Sequence, residues 1–440
     1  VITIRVGDVR EQLRQLDAKS VQCVVTSPPY FNLRDYGTAK WHGGDTDCQH
    51  KGRDVLVKSG GPGKQYTNVG SNAVFGGDCP CGAVREDKQI GMEATPAEFV
   101  ATLVDVFREV RRVLRDDGVL FVNLADSRAG SGKGPQGNGL KASYWTKPET
   151  VKLAGAKTSD GIRAKSLMLI PARFAIAMSD DGWIVRDQIV WAKKAPMPES
   201  VRDRCTSSWE PIWMFTKQAR YFWDAAAVAQ PSVSDHPSGN GYKRPEQLSR
   251  GGRGQDEPWQ VQATSNMRNV WHLSPEPSRE AHYASFPTEI PRRCILAATS
   301  QAGQCAKCGS PWARVVERER GTPGEVRGYQ AGVSSTTASV RHGKGSPNAV
   351  VRANSMQMTA RGGVKSENLG WQPSCICEDA GPPVPQTVLD PFVGSGTTLL
   401  VADRLERNGI GIDLNAEYAE IARRRCANDA PMFADVTAAG

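Results

Sequence analysis

The sequence predicts an α/β protein built on a mostly parallel sheet, and three stretches carry that expectation. At the start, Ile2 to Val6 and Val21 to Thr26 read as strands joined by a short helix over Val9 to Leu16. The run from Thr95 to Gly118 is an amphipathic helix leading into a buried strand, VLFVNLADS. Near the end, VLDPFVGSGTTLLVADRLERNGIGIDLNAEYAEIARRR reads as strand, glycine turn, helix, strand, acid, helix. Strands separated by helices are joined by crossovers, and crossovers make parallel sheets.

The central helix is the clearest single element. Thr95 suits its N-cap, Pro96 its first turn, and Glu98 completes a capping box. Phe99, Leu103, Val106, Phe107, Val110, Val113 and Leu114 recur at helical spacing, and Gly118 ends it. IVRDQIVWAKK and WEPIWMFTKQARYFW restore strand character further on. Between these elements, residues 41–92, 128–165, 231–270 and 316–370 are polar, rich in Gly, Ser, Lys or Arg, and without periodicity. AGSGKGPQG in the second of them lacks the Gly-Lys-Ser/Thr spacing of a phosphate loop and reads as a solvated loop.

With 440 residues the chain fits one large domain with insertions or two to three domains. Its net charge of +8, from 55 basic and 47 acidic side chains, leans modestly towards a polyanionic partner. No apolar run approaches a membrane span, and VITIRVGDVR lacks the form of a signal peptide. A soluble, cytoplasmic protein is expected, with its eleven cysteines kept as thiols.

DPFVGSGTT, residues 390–398, lies where a strand ending at Leu389 gives way to a helix from Thr398 to Arg407. Gly394 and Gly396 let the chain turn tightly and let a ligand approach the main chain. The following strand, Gly409 to Ile412, ends at Asp413, 17 residues after Gly396. An acid so spaced belongs at a neighbouring strand tip, where it can hold both hydroxyls of a ribose. That serves any adenosine-containing cofactor, nicotinamide ones included. The pattern is not GxGxxG, however, and Asp390 suits a cationic amino-acid moiety better than a pyrophosphate.

VQCVVTSPPY, residues 21–30, is an apolar strand that stops at two prolines and an aromatic ring. Pro28 and Pro29 stiffen the corner and leave its carbonyls free. Ser27 offers a hydroxyl, and Tyr30 a flat face with a polar tip. Such a corner can receive a planar amine: carbonyl and hydroxyl accept the hydrogens of the NH2 while the ring stacks on the base. The oriented nitrogen can then attack a methyl group directly, so positioning is the main demand.

Together, TSPPY and DPFVGSGTT resemble the S-adenosylmethionine-dependent amino-group DNA methyltransferases, which act on cytosine N4 or adenine N6. The catalytic motif precedes the cofactor motif, as in that family's beta arrangement. The resemblance covers roughly residues 1–36, 90–127, 184–225 and 281–430, with HYASFPTEIP similar to the segment leading into the cofactor half. It implies a doubly wound, mostly parallel seven-stranded sheet. It also implies that Asp8, Phe286, Pro287, Asp390, Phe392, Gly394, Gly396 and Asp413 line S-adenosylmethionine. Ser27, Pro28, Pro29 and Tyr30 would hold a base flipped from double-stranded DNA. Ser before Pro-Pro leans towards cytosine N4 rather than adenine N6.

Two sets of residues have zinc-ligand spacing: Cys48, His50, Cys79, Cys81, and Cys305, Cys308, Cys375, Cys377. CPCG and CAKCG also supply the glycine such knuckles turn on. Two structural zinc ions would staple insertions too polar to build a core. Pro80-Cys81 resembles a cytosine-C5 nucleophile only superficially, because Cys81 reads as a ligand. Cys23, Cys205, Cys294 and Cys426 read as isolated structural thiols.

The expected organisation has a catalytic half over 1–195, with a zinc-binding insertion at 41–92. A target-recognition region over 196–280 follows, then a cofactor-binding half over 281–440 with a second zinc-binding insertion at 300–386. Arg244, Arg250, Arg253 and Arg268, interspersed with Gln and Asn, suit base edges and phosphates. A cognate restriction endonuclease fits a site-specific enzyme of this kind. Two other readings stay open: methylation of RNA or a protein amide, and a zinc-stabilised DNA-binding protein without activity.

Overall fold

The computed structural model describes residues 1–31, 38–45, 47–48, 79, 81–129, 161–163, 165–231, 264–276, 286–319, 365–378, 381–429 and 436–439. The first elements are β1 (Ile2–Val6), α1 (Val9–Arg14), β2 (Val21–Thr26), β3 (Lys40–His42), β4 (Val84–Glu86), α2 (Pro96–Val113) and β5 (Leu114–Asn123). Then come α3 (Ile170–Asp180), β6 (Ile184–Lys193), β7 (Trp209–Thr216), β8 (Gln230–Pro231), β9 (Thr264–Ser265), β10 (Val270–Leu273) and α4 (Glu289–Ala298). The chain closes with β11 (Trp312–Glu319), β12 (Lys365–Pro373), β13 (Thr387–Asp390), α5 (Thr397–Arg404), β14 (Asn408–Asp413), α6 (Ala416–Asp429) and β15 (Val436–Ala439).

Contacts divide the chain into two units. The larger comprises Val1–Ala227, Arg268–Ala313 and Pro373–Gly440, and holds one sheet ordered β10-β6-β7-β5-β2-β13-β14-β1-β15. That is nine strands where seven are expected: β10 and β15 extend the two edges. Within it only β7 runs antiparallel to its neighbours, β5 and β6. The smaller unit, Val228–Met267 with Arg314–Gln372, contains the β8–β9 pair and most of the β11–β12 pair. There the Arg314 guanidinium lies 4.3 Å from the Trp371 ring centre. Two strands inside the stretch expected to read sequence, β7 and β10, belong to the main sheet. Arg268 is exposed, and Arg244, Arg250 and Arg253 lie outside the described residues.

The sheet is covered on both faces, as a parallel sheet requires. Side chains of α1, α2 and α3 (Leu13, Phe99, Leu103, Phe107, Phe174) form one core with β2 and β5. Leu399 and Leu400 of α5 and Ala419, Ala422 and Cys426 of α6 form another with Ile2 and Ile4. Every residue of β2 is buried, which is why its sequence is a run rather than an alternation.

Thr95 caps α2 as its sequence indicates, accepting a hydrogen bond from Glu98 N at 3.1 Å. The helix stops at Val113, short of Gly118, because Leu114 turns extended and pairs with Val21. The start of α3 has a remote cap: Asp126 accepts from Leu169 N at 3.0 Å and Ile170 N at 3.1 Å. Among the described residues no helix is long and apolar enough to cross a membrane.

Candidate active site

Two strand tips define the site. β2 and β13 are neighbours, with Cys23 opposite Val388 and Val24 opposite Leu389, so Ser27 and Asp390 emerge side by side. Thr26 Oγ1 donates to Asp390 Oδ1 at 2.6 Å and ties the tips together. The same carboxylate oxygen accepts Phe392 N at 3.1 Å. Both motifs thus open into one cleft of 1080 Å³, its open mouth included.

Asp8, Phe286, Asp390, Phe392, Gly394 and Asp413 line that cleft together with Ser27, Pro28, Pro29 and Tyr30. Pro287 and Gly396 do not. The Pro287 carbonyl accepts Ile290 N at 3.0 Å at the start of α4. Gly396, at φ +78°, faces α6 so closely that a Cβ would come within 2.9 Å of the Ala422 methyl. It therefore serves helix packing, whereas Gly394 lines the cleft.

Asp413 closes the glycine turn from the next strand. Its Oδ2 accepts Gly394 N at 3.0 Å and its Oδ1 accepts Asn415 N at 2.8 Å. Burial pushes both Asp390 and Asp413 up to about 6 from the ordinary 3.8, against the hydrogen bonds they accept. Asp8 is different. Burial opposes its charge, but the Arg10 guanidinium and the Arg10 and Glu11 amides hold its carboxyl below the usual range.

Tyr30 is held from behind. Its hydroxyl lies 2.8 Å from Glu210 Oε2 and 3.2 Å from Asn123 Oδ1, and Ser27 Oγ approaches it at 3.5 Å. Lys193 pairs with the other Glu210 oxygen. Burial and the neighbouring carboxylate keep the Tyr30 phenol well above its ordinary value, so it stays protonated. Gly91, at φ +102°, allows close approach here: a Cβ would stand 3.1 Å from the Tyr30 carbonyl oxygen.

Sequence reasoning missed several cleft residues. Thr38, Lys88, Gln89 and Ile90 reach the wall from the ends of an insertion with no periodicity to flag them. Tyr418 also lines it, and its place in the helix after the strand-tip acid was a usable signal.

The cysteines gather as their spacing suggests. The sulfurs of Cys305, Cys308, Cys375 and Cys377 lie within 4.8 Å of one another, as do those of Cys48, Cys79 and Cys81. Cys48 and Cys79 are 3.6 Å apart, and His50 lies outside the described residues. Each knuckle turns on a glycine: Gly82 N donates to Cys79 O at 2.7 Å, and Gly309 N to Cys305 O at 2.8 Å. Cys23, Cys294 and Cys426 are buried thiols, whereas Cys205 is exposed.

One strand-tip cleft thus brings together the Ser-Pro-Pro-Tyr corner and the glycine turn that the sequence singles out. The DNA methylase family model for N6 and N4 amino-methylation matches residues 21–305 and 381–424. Type II methyltransferase M.XycI of Xanthomonas campestris pv. cyanopsidis is 33% identical over 423 residues, 96% of this chain and 87% of that one. M.Cfr9I of Citrobacter freundii, also a type II methyltransferase, is 29% identical over the same shares of both chains, 96% and 87%. Type II methyltransferase M.SmaI of Serratia marcescens is 28% identical over 96% of this chain and 89% of that one. The PvuII DNA methyltransferase (cytosine-N4-specific) superposes with a TM-score of 0.45 at 15% identity, over 99% of this chain and 86% of that one. The chain belongs to the S-adenosylmethionine-dependent amino-group DNA methyltransferases of the N4-cytosine/N6-adenine family.

Proposed function

We propose that the chain methylates the exocyclic amine of a specific base flipped out of double-stranded DNA, with cytosine N4 as the target. The observation that carries this reading is the shared cleft, in which Ser27 and Tyr30 stand beside Asp390 and Gly394. S-adenosylmethionine supplies an electrophilic methyl group when bound. Its fit is supported by the chemistry of the cleft. Burial holds the Asp413 and Asp390 carboxyls above the ordinary range, so hydroxyl or cationic partners would stabilise their charged forms, and Phe392 and Phe286 offer apolar walls. In this reading Asp413 holds the ribose hydroxyls, Asp390 the amino-acid end, and Asp8 the adenine side. Ser27 and the Pro28–Pro29 carbonyls orient the target amine while Tyr30 stacks on the base. Target choice follows from Ser27 standing before the prolines. The relatives' designation as type II methyltransferases supports a cognate restriction endonuclease.

Incubation with labelled S-adenosylmethionine and mixed-sequence DNA, followed by nucleoside mass spectrometry, tests this directly. N4-methylcytosine is the expected product. N6-methyladenine would reassign the base, and an unmethylated digest would end the proposal.

Cofactor affinity should depend on pH with a defined sign. Asp390 and Asp413 titrate near 6 in the folded chain against 3.8 ordinarily. The free protein therefore binds extra protons between about pH 4 and 6 and loses stability as pH rises through that window. A ligand that satisfies the carboxylates restores it. Affinity for S-adenosylmethionine should thus be level above pH 7.5 and about tenfold weaker at pH 5.5. Calorimetric titration at several pH values gives the answer, and a flat profile would contradict the assigned roles.

Zinc on the two cysteine sets completes the proposal. Tetrahedral zinc with Zn–S bonds of about 2.3 Å spaces its sulfurs about 3.8 Å apart, a geometry that the 3.6 Å Cys48–Cys79 separation supports. The Cys305, Cys308, Cys375 and Cys377 set fills four positions by itself, and Cys48, Cys79 and Cys81 would be joined by His50. Emission spectrometry should find roughly two zinc ions per chain. A strong chelator should lower the melting temperature by more than about 5 °C. Melting that ignores the chelator would count against both sites.

A further inference from the structure

We propose that Glu210 ends a proton relay that runs from the target amine through Ser27 and Tyr30. The inference rests on the amine-methylation reading above and concerns where the displaced proton goes.

Hydrogen-bond directions make the case. Tyr30 has one hydroxyl proton and two acceptors in reach, Glu210 Oε2 at 2.8 Å and Asn123 Oδ1 at 3.2 Å. Asn123 is fixed in that orientation because its Nδ2 donates to Pro211 O at 3.1 Å. The nearer, charged acceptor takes the proton. The Tyr30 oxygen, which also accepts from the Ala125 backbone amide, keeps a second lone pair for Ser27 Oγ, 3.5 Å away. A separation at that outer limit is typical of a site before substrate fills it. Ser27 in turn keeps lone pairs for the amine. Every donor arrow therefore points the same way, from the cleft to Glu210.

A merely structural tether for the Tyr30 ring does not need this arrangement. Asn123 is already a neutral acceptor for the hydroxyl. A carboxylate drawn in from water is costly unless it is paired. Yet Glu210 is 13% exposed and carries its own partner, Lys193, itself 23% exposed. Lys193 also lies 4.8 Å from the centre of the Trp191 ring. Lys193 takes the Oε1 side of the carboxylate and leaves Oε2 to the Tyr30 hydroxyl.

The step balances. The amine nitrogen forms its bond to the methyl carbon as the sulfur–carbon bond breaks, and that electron pair stays on sulfur. The nitrogen, now positive, gives a proton to Ser27 Oγ. Ser27 passes its own to the Tyr30 oxygen, and Tyr30 passes its own to Glu210 Oε2. The products are a neutral methylated amine, a thioether and a protonated Glu210, which later exchanges with solvent. Glu210 touches no substrate. It is a positioning residue for Tyr30 that also receives the proton.

Glu210→Gln separates the relay from a tether, because the amide oxygen still accepts the Tyr30 hydroxyl but cannot take its proton. Single-turnover rate, kcat, KM for DNA and the solvent deuterium isotope effect are measured for the native chain, Glu210→Gln, Tyr30→Phe and the double variant. The relay predicts that kcat falls about a hundredfold in each single variant, with KM for DNA within about threefold. The double variant should be no slower than the slower single. The native chain should show a solvent isotope effect on the chemical step that Glu210→Gln alters, and Glu210→Asp should recover part of the rate. A Glu210→Gln rate near native, a loss confined to KM, or additive losses in the double variant would overturn the relay. If Glu210→Gln fails to fold, Tyr30→Phe carries the test, since it keeps the ring and removes the link; a near-native kcat would then overturn it. A native chain that methylates no base removes the underlying reading and the relay with it. An active native chain with fast variants removes the relay alone.

Discussion

Tyr30→Ala should lower single-turnover methyl transfer by about a thousandfold while changing S-adenosylmethionine affinity by less than about threefold. Two losses combine. Stacking of a base on an aromatic ring is worth about 1–3 kcal/mol, and the hydroxyl that contacts Ser27, Asn123 and Glu210 disappears as well. The proposed cofactor contacts stand on another strand tip. Asp390 is held by Thr26 Oγ1 and Phe392 N, and Asp413 by Gly394 N and Asn415 N, none of which touches the Tyr30 hydroxyl. Equilibrium titration beside a rapid-quench assay separates the two quantities. Parallel losses in both would contradict the division of labour between the tips.

Asp413→Ala should show the reverse pattern. Hydrogen bonds to a charged group contribute about 1.5–3 kcal/mol each, so losing the ribose contacts should weaken cofactor binding by about a hundredfold. The turn also loosens, because Gly394 N and Asn415 N lose their acceptor. At saturating cofactor the rate should recover to within about fivefold, since the amine-receiving corner is untouched. Asp413→Asn should fall between, its carbonyl oxygen still able to accept Gly394 N. A rate that stays low at saturation would instead assign Asp413 to the chemistry.

Much of this site was legible in the sequence because its two halves are written locally. A fully buried strand must read as an apolar run, and β2 does. A glycine turn and an acid at the next strand tip are fixed by short-range geometry, so Asp390, Gly394 and Asp413 could be picked out without knowing the sheet order. The gathering of Cys305, Cys308, Cys375 and Cys377 was legible because they fall in two closely spaced pairs.

What escaped depends on pairing across distance. Lys193 and Glu210 meet only because β6 and β7 run antiparallel, with Trp191 opposite Glu210, and no local pattern marks either residue. β10 joins the sheet through β6 although its flanks are polar and irregular. The cap of α3 comes from Asp126, far along the chain from Ile170. Gly396 depends on distance too: this motif glycine packs against the Ala422 methyl of α6, outside the cleft lining.

The order of the sheet has a consequence for synthesis. Val24 lies opposite Leu389, so the neighbour that completes β2 is made long after β2 itself. At about 5–20 residues per second the ribosome needs tens of seconds to bridge that gap. Throughout, one edge of an apolar strand waits bare, a template for pairing with other nascent chains. A product released early would carry the Ser27–Tyr30 corner without the pocket beside it, and would tend to aggregate rather than methylate.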